Sequence, residues 1–341
     1  MNSVRWVRED RENTAYDWAF DASTRGFQAG RSGSLPGLPV GWAREVSLPV
    51  LDDWYEGRVV EHPTFPLVWL NGEILPAEDA LISVTDHGFV VGDGVFETVL
   101  ITNGYPFALR RHLSRLLSSA LQLGIGRPDV TCLTSGVREL IAANECEEGA
   151  LRIIVTPGPG PVGSQRRTGP HHTAVLILSP LHPPAHQASA VVCPWARNEN
   201  GVLTGLKTTS YAENACALAW AIAHGASEAL FANTKGMLCE GSGTNIFLGI
   251  DGELITPPVT SGCLPGITRS LLLEHLDVIE RDVPVTILEE PDTVQEAFLT
   301  SSLRLIRPLE RIGDHVFLGD PGPLSARASE CMEKLLSTRV E

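Results

Sequence analysis

Lysine is the scarce residue here: only three occur in 341 positions, Lys207, Lys235 and Lys334. Basic charge as a whole is also short, with 26 Lys and Arg against 41 Asp and Glu, a net charge of −15. That balance excludes sequence-independent nucleic-acid binding, which needs clustered cations to displace counterions. The seven cysteines (Cys132, Cys146, Cys193, Cys216, Cys239, Cys263, Cys331) form no C-x-x-C pair and no zinc-ligand spacing, so reduced, mostly structural thiols are expected. No apolar run is long enough to span a bilayer, and no apolar signal core follows Met1. The expectation is a cytoplasmic chain without a membrane partner. Internal repeats are missing as well. His171, His172, His182 and His186 lie in Pro-rich loops without a matched acidic ligand, so no metal centre is expected.

What is present is ordinary globular sequence after an unusual start. Residues 1–65 hold four of the seven tryptophans (Trp6, Trp18, Trp42, Trp54) and a Gly/Ser/Pro-rich middle, with no sustained period; their role is not legible. Organised sequence begins at Leu67, where Leu67–Leu70 and Glu73–Leu75 flank Asn71-Gly72 in the pattern of a tight hairpin. Phe89–Val91, Val95–Ile101 and Pro106–Leu109 read as further antiparallel strands. Leu113, Leu116, Leu117, Ala120 and Leu121 recur at helical spacing, and a second helix is predicted over 129–144. Strands are predicted at 151–156 and 173–179, and the Pro/His-rich link after Ser179 marks a domain boundary. Beyond it the pattern gives strands at 188–193, 228–232, 244–248, 253–255, 283–287 and 297–300, and helices at 212–224, from 266 and around 326–336. The reading is an α+β chain in three parts: an N-terminal extension (1–65), a small α/β domain (66–182) and a larger domain (183–341).

Three features point to a phosphate-bearing aromatic cofactor. Lys207, in Gly205-Leu206-Lys207-Thr208-Thr209-Ser210-Tyr211, has small and apolar neighbours that favour partial desolvation and a nucleophilic amine. Taken alone, an exposed loop lysine is the simpler reading, since buried lysines are rare. Pro265-Gly266-Ile267-Thr268 opens a helix, where free N–H groups, the dipole and the Thr268 hydroxyl make an anion site. Glu240, before the Gly241-Ser242-Gly243 turn, is an acid that can keep a pyridine ring protonated and therefore electron-accepting. Gly92-Asp93-Gly94 is no dinucleotide fingerprint, because the third glycine is missing and strands follow.

In their order these motifs resemble the fold-type IV pyridoxal-phosphate (PLP) enzymes, also called class IV aminotransferases. The resemblance runs from about Leu67 to about Asp320 and implies a two-domain fold of the D-amino acid aminotransferase type, PLP as cofactor and a homodimer. It implies that Lys207 links covalently to the cofactor and then acts as general base, and that Glu240 faces the pyridine nitrogen. Arg115, in His112-Leu113-Ser114-Arg115-Leu116, is similar to the phosphate-binding arginine. Ile267, Thr268 and Ser302 fall at further phosphate positions, and Tyr211 at a tyrosine that bonds the phenolic oxygen. Arg152 falls where some relatives contact substrate carboxylate, Phe96 is a further candidate substrate residue, and Arg166 and Arg167 lie near the substrate entrance.

The resemblance leaves the reaction to be chosen. Lys207–Asn214 and Gly225–Asn233 look most like bacterial 4-amino-4-deoxychorismate lyases, which release pyruvate and 4-aminobenzoate. Branched-chain enzymes carry Gly-Ile-Arg where this chain has Thr98-Val99-Leu100. Lyase is therefore the leading expectation, with an amino-acid transaminase of branched-chain or D-amino acid type as alternative. A non-catalytic PLP-binding protein is the remote third, opposed by Lys207 and Glu240.

Overall fold

The computed structural model describes residues 64–341 except 168, 170, 182–187, 291–292, 318–321, 339 and 341. The Trp-rich extension and the expected boundary at 182/183 lie outside the described residues. The first half builds β1 (Leu67–Leu70), β2 (Glu73–Pro76), α1 (His87–Val91), β3 (Val95–Thr102), β4 (Tyr105–Pro106), α2 (Leu109–Leu123), α3 (Val130–Ala143), β5 (Gly149–Thr156) and β6 (Thr173–Ser179). The second half gives β7 (Ala188–Arg197), α4 (Ala212–Ala223), β8 (Glu228–Asn233), β9 (Leu238–Gly241), β10 (Asn245–Ile250), β11 (Glu253–Thr256), α5 (Ile267–His275), β12 (Val278–Glu280), β13 (Glu296–Ser301), β14 (Leu305–Ile312), β15 (His315–Val316) and α6 (Pro323–Ser337).

Strands of the first half form a six-stranded antiparallel sheet in the order β2-β1-β6-β5-β3-β4. Those of the second half form a nine-stranded mixed sheet, β12-β11-β10-β13-β14-β7-β8-β9, with β15 beside β14. Turn chemistry sets several registers. Asn71-Gly72, Asn103-Gly104 and Asp251-Gly252 all have positive φ at both positions, the geometry whose twist matches that of the flanking strands. Asp129 caps α3 by accepting the Cys132 N–H at 2.9 Å, a bond that satisfies one orphan donor of the first turn. Leu113, Leu116 and Ala120 of α2 and Leu133, Val137 and Leu140 of α3 bury one face each against Val99, Leu151 and Leu176 of the sheet. The α3 helix comes so close that a Cβ at Gly136 would sit 2.6 Å from the Trp69 indole. Leu100 and Phe107 of the first half pack with Phe247, Leu271 and Phe298 of the second, so the two sheets share buried apolar contact.

Two predicted strands take other forms. Phe89–Val91 belongs to the short helix α1, because Asp86 accepts the Gly88 N–H at its start and Gly92, at φ 68°, closes its end onto the His87 carbonyl. Both helix ends are satisfied within one turn, and three apolar residues cannot outweigh that. Residues 285–289 form a 3₁₀ turn after Pro284, which has no N–H for a ladder. The short strands β9 and β12 and the long β14 go unseen in the sequence pattern. No helix among the described residues is long and apolar enough to cross a membrane.

Candidate active site

Lys207 reaches its position because the loop that carries it is sewn to the turn between α1 and β3. Thr209 donates its N–H to the Gly94 carbonyl at 2.9 Å and its hydroxyl to the Gly92 carbonyl at 2.7 Å. Phe96 donates its N–H to the Lys207 carbonyl at 3.0 Å. The half-buried side chain then places Nζ 4.3 Å from the Phe96 ring centre and 5.5 Å from that of Tyr211. Burial, then the nearby Arg115 charge, lowers the lysine to about 8, so a useful fraction is free amine near neutral pH. Lys235 stands 69% exposed, 3.7 Å from Glu199, and Lys334 is exposed on α6.

A cavity of about 950 Å³ is lined by Lys207 and by Phe96, Arg115, Arg152, Tyr211, Glu240, Ile267, Thr268 and Ser302, but not by Arg166 or Arg167. A second cleft, of about 710 Å³ between α2 and α3, contains none of them. Across the floor, Tyr211 meets Phe96 edge-on at 5.3 Å and the Arg152 guanidinium lies 4.2 Å over the same Phe96 ring. Burial, then the Glu240 charge, pushes the Tyr211 hydroxyl to about 12, so it remains a donor.

At one end, Arg115 on α2 is fixed by Glu97 on β3. Its Nε and one terminal nitrogen bond the two Glu97 oxygens at 2.8 and 2.7 Å, and the other reaches the Pro265 carbonyl at 2.9 Å. His112 Nδ1 adds a contact to Glu97 at 2.7 Å. Burial would raise the Glu97 carboxyl, but Arg115 and His112 outweigh it and hold it near 2. Three of the five guanidinium N–H groups are used, leaving two for a guest. Beside it α5 begins at Ile267 with no side-chain cap on Gly266, so its first N–H groups line the cavity as an anion cradle. The buried Thr300 hydroxyl, on the same wall, has no partner among the described residues.

At the other end Glu240, on β9, accepts the Leu264 N–H at 2.8 Å and lies 3.6 Å from Arg197. Burial raises its pKa, as suits an acid sharing a proton with a ring nitrogen. Arg197 escaped sequence reasoning. It bonds Glu213, stacks 4.2 Å over Phe231 and leaves Nε without a partner among the described residues; only its distance from Glu240 reveals it, and the intervening chain hides that. Arg166, by contrast, is tied to Asp93 by bonds of 2.6 and 2.7 Å, which occupies the group that sequence suggested for an anionic substrate.

A two-sheet α+β architecture with this order of strands, a lysine loop and an anion cradle defines a fold-type IV enzyme. The sequence profile described as Amino-transferase class IV matches residues 94–312. A Methanocaldococcus jannaschii protein provisionally named a branched-chain-amino-acid aminotransferase is 33% identical over 258 residues, 73% of this chain and 88% of its own. The D-alanine aminotransferase of Bacillus licheniformis is 27% identical over 78% of this chain and 95% of its own. Among solved structures, 4-amino-4-deoxychorismate lyase from Pseudomonas aeruginosa is similar at TM-score 0.69 and 29% identity, covering 79% of this chain and 98% of that one. The chain belongs to the class IV aminotransferase family and is an enzyme; the family's members depend on PLP, as transaminases or lyases.

Proposed function

We propose that the cavity holds PLP and that the enzyme acts at the amine-bearing carbon of a carboxylate substrate, eliminating pyruvate from 4-amino-4-deoxychorismate to leave 4-aminobenzoate. The donor set fits the cofactor at three separated points. Two spare Arg115 N–H groups, the α5 N-terminus, the orphaned Thr300 hydroxyl and Ser302 suit a phosphate; Glu240 suits a pyridine nitrogen; the Tyr211 hydroxyl suits a phenolic oxygen. When bound, PLP supplies an electron sink for bonds broken at the carbon next to the substrate amine.

The observation that carries the reading is the half-buried Lys207 amine, lowered to about 8 and facing the same cavity as Arg152 and Glu240. An amine in that state attacks a carbonyl carbon and, once freed, takes and returns a proton near neutral pH. Arg152 offers a forked donor to the substrate carboxylate. Glu240 would hold positive charge on the ring nitrogen, and Glu97 keeps Arg115 from turning away. For elimination, Lys207 would take the proton from the amine-bearing carbon, the carbon–oxygen bond to the enolpyruvyl group breaks with the electron pair on oxygen, the proton returns to the methylene carbon of the departing enolate to give pyruvate, and the ring becomes aromatic.

Amino transfer is the second reading, favoured by the aminotransferase names of the two sequence relatives. The stretches 207–214 and 225–233, which resemble the lyases, favour elimination. Mixing holoenzyme with 4-amino-4-deoxychorismate separates them: many equivalents of pyruvate and 4-aminobenzoate support the lyase. If instead a single amino acid class converts the cofactor stoichiometrically to its aminated form and no pyruvate appears, the enzyme is a transaminase.

A homodimer belongs to the same proposal. Leu81, Val84 and Phe89 are 83%, 77% and 77% exposed within one short segment, an apolar concentration that a partner subunit would cover. Sedimentation at a monomer mass across micromolar concentrations would remove this element.

A further inference from the structure

Five cationic side chains line the active-site cavity: Arg115, Arg152, Arg197, Lys207 and Arg304. Two are already neutralised, Arg115 by Glu97 and Arg197 by Glu213. Lys207 and Arg152 both lie over the Phe96 ring and are accounted for, on the proposed reading, by the cofactor and one substrate carboxylate. Arg304 is left over. Its guanidinium has no ion pair or hydrogen bond among the described residues, in a chain with 41 acidic side chains to choose from.

Arg304 is exposed, and its place in the fold puts it on the cavity wall. Arg304 stands in the three-residue turn that joins β13 to β14, where Ser301 pairs with Leu305. The Arg304 N–H bonds the Ser301 hydroxyl at 3.3 Å, and Leu305 adopts φ 51°. A leucine enters that left-handed region only against steric resistance, where glycine would enter freely. This turn therefore holds an unfavourable backbone shape at the cavity wall, next to Ser302. Arg307, buried on the same hairpin, has its pKa lowered by burial and then by the Arg304 charge. Two like charges on one hairpin repel, and an anionic guest relieves that repulsion.

Building on the cofactor site proposed above, we infer that Arg304 is a specificity-determining residue that receives a second carboxylate of the substrate, remote from the amine-bearing carbon. The substrate class is then an amine with two acid groups, one met by Arg152 and the other by Arg304. The chorismate skeleton carries two carboxylates and belongs to it; a branched-chain amino acid does not.

Calorimetry on the PLP-loaded enzyme tests this with unreactive probes: glutarate, adipate and isophthalate against butyrate and benzoate. Wild type should bind at least one diacid about tenfold more tightly than its matched monoacid, in line with a charge-assisted bond. Arg304→Met should erase that preference while the visible cofactor band stays, and Arg304→Lys should retain part of it. Equal binding of diacids and monoacids by wild type, or a preference that survives in Arg304→Met, overturns the inference. A wild-type enzyme that takes up no PLP overturns the cofactor reading itself, which the absorbance reveals before any titration.

Discussion

Lys207 illustrates how a residue's chemistry depends on neighbours that sequence alone does not display. The Gly-Leu-Lys-Thr-Thr context indicated a sheltered amine, but the cause of its lowered pKa lies in burial and in Arg115, 92 positions away in the chain. With the amine lowered from 10.5 to about 8, capture of PLP by the apoenzyme should accelerate as pH rises, with a midpoint near 8. A midpoint near 10 in stopped-flow absorbance would show an ordinary lysine. Glu97 behaves oppositely. Its folded pKa is depressed from 4.5 to about 2, so the stability it contributes is complete above about pH 4.5 and disappears as pH falls towards 2. Glu97→Gln leaves Arg115 and His112 buried without their acid and should cost about 3–5 kcal/mol in denaturant melts, with weaker PLP binding. A loss under about 1 kcal/mol would mean the network is solvated. Arg115 was legible from its motif, whereas its dependence on Glu97 was not, because a strand and a helix must fold together to join them.

Elements were legible in proportion to how much of their signal is local. The two-residue Asn-Gly and Asp-Gly hairpins and the capped helix α3 follow from turn and cap chemistry, and they appear where expected within a residue or so. Asp129→Ala should therefore cost about 1 kcal/mol by loss of the cap, measured by thermal melting. Strand β9 has only four residues and β14 owes one edge to the sequence-distant β7, so neither left a clear periodic mark; Glu240 was found by its glycine-rich neighbours, not by its strand. The α1 segment was misassigned because caps outweighed apolar content. Close packing was hidden altogether: Gly136 looks like a helix weakness, yet the Trp69 ring fills the space of its missing side chain. Gly136→Ala should destabilise the fold by about 1–3 kcal/mol through overpacking, although alanine is intrinsically the better helix former. An unchanged or raised melting temperature would show that Trp69 moves aside.

At the scale of the whole molecule, two sheets bring residues from positions 96 to 304 around one cavity. On the proposed reading the arrangement separates three tasks: the α5 end and Arg115 for a phosphate, Glu240 for a ring nitrogen, and Lys207 between them for covalent and proton chemistry. Sequence order conveyed the family and named these residues as candidates, while the cavity's charge distribution, with Arg197 paired to Glu213 and Arg304 without a partner among the described residues, required three dimensions. The scarcity of lysine makes the central claim directly measurable. Borohydride reduction of the yellow PLP-loaded enzyme, followed by digestion and mass spectrometry, fixes the cofactor to whichever lysine carries it. The account predicts the label on Lys207 and no yellow band in Lys207→Ala; a label on Lys235 or Lys334, or none at all, would contradict it.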